Sequence, residues 1–428
     1  MRKNIITLLM ALATAAAANA QSGTNSPYSQ YGLGVLSDQS QGFNRGMNGL
    51  SLGLRQSNQV NMLNPASYSC VDSLTMIFDV GLSGQVTNFK EGNRKINANN
   101  ADFEYAVAAF RLMPKMGLSF GVVPFTNIGY NYSATTNVGT STTTSTETHS
   151  GSGGIHQVYV GIGWNFFKGL SLGVNGSYLW GSYDRSVTIS SNDAYVNTVT
   201  TAYSTSVQSW KVDFGLQYTQ AISKTDKVTL GATYSLGHSL SADPMVTTTN
   251  TNSQTGVSTS HEQTVYDGLS IPHAFGVGLS WEHNRRFIVG ADYSLQKWGE
   301  LKYPEMNPST GKYVLKNGLL SDRHKLTVGG EWTPNWQSRK FYNRVRYRVG
   351  ASYNTPYIKV NGKDGPKEIS VSAGFGIPIT NNWNNGSYLN ISGQWVKASA
   401  KDHITENTFR INIGLTFNEQ WFNKWKVR

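Results

Sequence analysis

From about residue 74 onward the chain is written in a two-residue period. Leu170, Leu172, Val174, Tyr178 and Trp180 alternate with Ser171, Gly173, Asn175 and Ser177. Phe275, Val277, Leu279 and Trp281 alternate with Gly276, Gly278 and Ser280, and Phe409, Ile411, Ile413, Leu415 and Phe417 with Arg410, Asn412, Gly414 and Thr416. Side chains one position apart lie on opposite faces of a strand, so each run has one apolar and one small or polar face. Comparable runs predict fourteen strands. They fall near 74–88, 102–112, 115–133, 151–168, 169–189, 204–221 and 226–240, and near 269–283, 285–299, 322–333, 343–354, 367–379, 386–399 and 405–418.

The connections carry a second pattern. Those after even-numbered strands are mostly tight (Met113-Pro114, Lys168-Gly169, Ser223 to Asp226, Asn284), with Pro334 to Tyr342 and Asn381 to Asn385 as exceptions. Those after odd-numbered strands are long, near 134–150, 190–203, 241–268, 300–321 and 355–366. Short turns at one end and long loops at the other are the mark of an outer-membrane barrel, whose short turns face the periplasm. The expected fold is all-β: a transmembrane antiparallel β-barrel of about fourteen strands spanning 74–418. Residues 134–150 hold eight threonines and 241–268 is rich in Thr, Ser and Asn, a composition that reads as irregular loop. Aromatics gather toward strand ends (Trp164, Phe166, Phe167, Trp180, Tyr183, Trp298, Trp332, Trp383), as in the girdles that barrels place at membrane interfaces.

Residues 1–20 read as an export signal cleaved after Ala20: Arg2 and Lys3, an apolar run from Ile5 to Ala17, then Ala18-Asn19-Ala20. Cleavage lowers the net charge from +11 to +9. The expected address is the outer membrane of a Gram-negative bacterium. Residues 21–73 precede the barrel, and within them Arg45 to Tyr68 is rich in Gly, Asn and Ser, with too few apolar residues to build a core. It reads either as a hatch inside the barrel or as a periplasmic leader. Residues 419–428 form a short basic tail with Trp421 and Trp425. The single cysteine, Cys70, excludes an intrachain disulfide. The basic residues are dispersed among strands, which suits lipid and lipopolysaccharide phosphates better than nucleic acid.

No catalytic constellation, metal-ligand spacing, nucleophile elbow or phosphate loop is present, so neither an enzyme nor a cofactor is expected. The strongest polar signal is Arg344, Arg346 and Arg348, which the period places on one strand face; charge on the lipid face costs roughly 2–4 kcal/mol near the midplane, so that face is the lumen. Lys325, Glu331, Asp292 and Arg410 share the inward phase. These residues form either a track for an anionic ligand group or an ion-pair network that stiffens the barrel.

Three stretches resemble the FadL/TodX family of outer-membrane transporters for hydrophobic compounds. Gly49-Leu50-Ser51-Leu52-Gly53 followed by Asn64-Pro65-Ala66-Ser67 is similar to that family's hatch, which ends in Asn-Pro-Ala before the first strand. Leu269-Ser270-Ile271-Pro272 with the hairpin Gly276 to Trp298, and Arg346 to Tyr353, are similar to two of its wall segments. The resemblance implies a monomeric fourteen-stranded barrel with a lumenal hatch that includes Gly49, Gly53, Asn64, Pro65 and Ala66. It also implies a wall opening near the hatch through which a small hydrophobic ligand leaves. Relatives of such barrels also serve as non-transporting members of secretion or assembly complexes, so envelope-protein partners are the alternative expectation.

Overall fold

The computed structural model describes residues 23–138, 142–307, 309–379, 386–401 and 403–420. The expected signal, Trp383 with the Asn381 to Asn385 turn, and the tail tryptophans lie outside these residues. Fourteen wall strands follow one another: β1 (Thr75–Glu91), β2 (Arg94–Met113), β3 (Met116–Asn137), β4 (Thr144–Phe167), β5 (Leu170–Ser191), β6 (Thr198–Ala221) and β7 (Asp226–Ser235). They continue as β8 (Ala274–His283), β9 (Phe287–Gln296), β10 (Arg323–Trp332), β11 (Arg346–Asn354), β12 (Lys367–Ile379), β13 (Ser387–Ser399) and β14 (Thr405–Gln420). Each pairs antiparallel with its neighbours, and β14 pairs with β1 from Gln420↔Thr75 to Thr405↔Lys90, closing the barrel. Closure pairs the first wall strand with the last, so the wall has no terminal strand.

The alternation sorts as the sequence predicts. Val160, Val277 and Val349 are exposed on the outer wall, while Ser119, Gln157, Asn175 and Gln217 are buried against the lumen. Two expectations are corrected. The Thr-rich stretches are sheet rather than irregular loop: β3 to β6 run far past β7 to β11, and the hairpin Met245–Thr251 with Ser258–Thr264 extends the same sheet by pairing with β6. Threonine is β-branched and suits a strand. Cross-strand hydroxyl pairs such as Thr188–Thr200 (3.1 Å) and Thr135–Thr146 (3.0 Å) tie the ladder without an apolar core. The second correction concerns the girdle: Trp164, Phe166, Phe167 and Trp332 face outward near strand ends, but Trp298 and Tyr183 are buried inside the long-loop mouth.

The wall has one irregular seam. β2 and β3 pair from Met113↔Met116 to Ala106↔Val122 and then part, although each continues as a strand with its other neighbour. Pro124, which has no N–H to give the ladder, follows directly, and β3 bulges against β4 between Pro124 and Thr126. Above the split, the two-residue strand Val35–Leu36 pairs with Thr126 and Asn127 of β3.

Candidate functional site

The segment before β1 lies in the lumen, and its local structure explains its composition. A helical turn, Gly42–Arg45, is closed by Asn44, whose Oδ1 accepts from the Gln41 N–H at 2.7 Å. Asn48 and Gly49 then take positive φ (59° and 86°), turning the chain back along the wall. Asn64 caps the 3₁₀ turn Pro65–Cys70: its Oδ1 accepts from Ala66 N–H and its Nδ2 donates to Leu52 O at 2.8 Å. Pro65, with no N–H, fits the first position of that turn. The Asn-Pro-Ala signature is thus a cap that fastens one half of the segment to the other.

The path of this hatch is a belt around the inner wall. Gly42 lies against Gly414 of β14, Gly46 against Gly374 of β12, and Met47 against Gly350 of β11. Leu52 follows against Gly278 of β8 and Gly231 of β7, then Pro65 against Gly173 of β5 and Tyr68 against Gly117 of β3. A Cβ on Gly278 would stand 2.7 Å from that of Leu52, and one on Gly414 would stand 3.0 Å from the Gly42 Cα. The inward glycines are where the wall makes room for hatch backbone. Gly53 does the reverse, since a side chain there would meet the β8 backbone at 2.8 Å.

Polar anchors fix the belt. Asp292 on β9 accepts the Ser51 and Leu52 N–H groups at 2.6 and 2.8 Å. Asn48 Nδ2 donates to Ser352 Oγ and Ser370 Oγ at 2.8 and 2.6 Å, and its Oδ1 accepts from Gln394 at 2.8 Å. Arg45 donates to Glu104 at 2.7 Å, to Asn412 at 3.0 Å, and to the Asp38 and Ser40 carbonyls, with both ionic side chains buried. Burial works to raise the Asp38 carboxyl's pKa, but the Arg45 and Lys325 charges outweigh it and hold the group below the usual carboxylate range. Arg45 and Glu104 were not among the residues singled out from the sequence. Glu104 is the extra residue of a β2 bulge between the pairs Gly81↔Tyr105 and Leu82↔Phe103, which turns it inward beside Tyr105.

Of the three arginines expected on one strand face, the structure keeps two. Arg348 reaches Glu331 at 2.7 Å and Asn390 at 2.6 Å; Arg346 reaches Glu331 at 3.4 Å, Gln56 of the hatch at 2.8 Å and the Tyr388 hydroxyl at 3.1 Å. Arg344 sits instead in a helical turn, Phe341–Arg344, outside the wall, because β11 begins only at Arg346. Lys325 lines a lumenal chamber, and Arg410 donates to Gln85 at 2.9 Å.

That chamber, of about 400 Å³, lies between hatch and long-loop mouth. Its lining mixes Asp38, Asp102, Lys211, Asp292, Lys325 and Arg410 with Phe125 and Trp298. Above it a packed lid closes the mouth: Tyr28 and Leu33 of the N-terminal segment join Ile128, Ile155, Trp298 and Tyr357. Tyr357 hydroxyl donates to Gly34 O, and Arg185 and Tyr303 both donate to Gly32 O. At the seam between β2 and β3, Asn127 donates to Asp102 at 3.3 Å, and Asn25 bonds Asn100. The seam is spanned by the chain's own N-terminal segment and edged with amides and carboxylates.

A closed fourteen-stranded antiparallel barrel that holds its own leading segment in the lumen defines the fold class. The fold is similar to the CymD monoaromatic hydrocarbon channel (15% identity, TM-score 0.59, 92% of this chain and 99% of that one). It is equally similar to the P. putida toluene transporter TodX (15%, 0.61, 92% and 99%) and to a Pseudomonas aeruginosa FadL homologue (11%, 0.60, 88% and 98%). At such identities the likeness is one of fold. The chain itself belongs to the BamG family, whose model matches residues 1–428. No curated protein matches it. The FadL/TodX resemblance read from short motifs is thus a resemblance of architecture, while the family carries another name.

Proposed function

We propose that this chain is an outer-membrane barrel that works closed, as an accessory that docks other proteins of an envelope assembly or secretion machine. The observation that carries this reading is the belt-like hatch, seated against glycines from β3 to β14 and held by buried charges. A hatch laid into the wall this way cannot leave without opening voids and stranding Arg45, Glu104 and Asp292, each a cost of several kcal/mol for a buried charge. The outer mouth is sealed by a second packed cluster. The surface left for work is the outside, where the extended sheet of β3 to β6 projects on one side only. It ends in Ser258–Thr264, a largely exposed strand paired on one side with Met245–Thr251, with Gln263 alone bonded to Gly311 and Tyr313. Such an edge accepts a strand from another protein. Placing a photo-crosslinking residue at Thr259 should trap an envelope protein in native membranes. A chain that sizes as a lone barrel under every mild extraction, with no adduct, overturns the reading.

A second reading is a channel for a small hydrophobic molecule. The chamber and the seam between β2 and β3 favour it, as do the solved neighbours, whose titles describe hydrocarbon channels. The charged lining argues for a ligand with a polar group. Cross-linking Asn48→Cys to Ser370→Cys in a Cys70→Ser background separates the two readings. Locking the hatch abolishes uptake through a channel and leaves a docking barrel working.

A further inference from the structure

Among the described residues, one short-turn connection of the barrel is long, and nothing in the hatch or the lid uses it. Residues 333–345 join β10 to β11 beside the Asn284–Arg286 turn. The loop is ordered by its own bonds: Asn335 N–H donates to Asn343 O at 2.8 Å, and Asn343 Nδ2 to Ser338 Oγ at 3.1 Å. Thr333 N–H donates to Arg286 O at 2.8 Å, fastening loop to turn, and the Arg285 guanidinium lies 5.9 Å from the Trp336 ring. Tyr347 hydroxyl donates to Tyr342 O at 3.1 Å, hanging the loop from an aromatic row on the outer wall. In that row Phe287, Trp332, Tyr347 and Phe375 contact one another in succession.

The loop thus displays two kinds of side chain together. Trp336, Phe341 and Tyr342 are about half exposed. Arg285, Arg286, Arg339 and Lys340 are exposed, and none has a carboxylate within ion-pair distance among the described residues. The other short turns carry fewer cations, such as Lys115 and Lys168. Aromatic rings favour the headgroup zone of a bilayer, and cations beside them favour anionic lipid. The row of lipid-facing aromatics runs directly into the loop, so its neighbour is the membrane surface rather than open solvent.

We propose that residues 333–345 and the 284–286 turn form a binding shelf for the phosphate headgroup of an anionic phospholipid, with Trp336 and Phe341 inserted at the interface and Arg285, Arg286, Arg339 and Lys340 on the phosphate. The shelf holds lipid of the leaflet at the short-turn rim whether the barrel docks partners or passes a ligand.

The purified full chain, offered equal phosphatidylglycerol and phosphatidylcholine, should retain phosphatidylglycerol preferentially in native mass spectrometry. R339Q/K340Q, which alters only exposed loop side chains, should lower that preference by about twenty-five-fold, since each cation near an anionic surface contributes about five-fold. K90Q/K95Q, at the opposite rim, should leave it unchanged. Equal retention of the two lipids overturns the proposal, as does an R339Q/K340Q barrel, folded by its gel mobility, that keeps the wild-type preference. An equal loss in K90Q/K95Q also overturns it, assigning the effect to overall charge. If R339Q/K340Q keeps its lipid but loses an acidic protein on gentle extraction, the shelf is a protein site and the lipid assignment fails.

Discussion

Arg45 of the hatch and Glu104 of β2 meet at 2.7 Å with both side chains buried, 59 residues apart in sequence. This contact joins the plug to the wall strand that borders the seam. Arg45 also holds Asn412 and two hatch carbonyls, so the guanidinium is the point where three segments converge.

Removing either partner alone leaves a buried charge. Arg45→Met or Glu104→Gln should destabilise the barrel by about 3–5 kcal/mol, while the double replacement should cost less than the sum. Thermal unfolding of the detergent-solubilised barrel, read by the heat-dependent gel shift, checks this. Additive single effects would show that the two charges are not coupled.

The glycine belt gives a positional prediction. Gly350→Val places a side chain against the Met47 backbone and should loosen the hatch by about 1–3 kcal/mol. Gly84→Val, on the outer face where nothing lies within 4 Å, should not. Limited proteolysis between residues 42 and 71 of the folded barrel reports the difference.

Asp292 accepts two hatch N–H groups. Asp292→Leu leaves both without an acceptor and should cost about 1–3 kcal/mol for each, whereas Asp292→Asn keeps an oxygen and should lose roughly half as much. Amide hydrogen exchange at Ser51 and Leu52 should quicken in the same order.

Trp298, buried in the lid rather than in a girdle, should behave as core. Trp298→Ala should lower stability by about 3–5 kcal/mol, and the opened mouth should admit a thiol reagent to a cysteine placed at Lys325. A girdle residue such as Trp164, changed the same way, should not affect that labelling.

The sequence by itself determined the strand number, the two faces of each strand, and the short and long ends. Each of these is local: a period of two or a turn residue. Lumen placement of Asp292, Glu331, Arg346 and Arg348 was legible for the same reason. What these residues touch was not. Glu104 faces inward only because a bulge adds one residue to β2. Arg344 leaves the wall because β11 starts late, and threonine-rich stretches join the sheet because neighbouring strands continue beside them. The glycines fall on the small or polar face of their strands, yet only closure of the barrel shows that they line up behind one belt of hatch backbone. Periodicity states which way a side chain points. Register, bulges and closure decide what stands opposite it, because those are set by pairing between segments hundreds of residues apart.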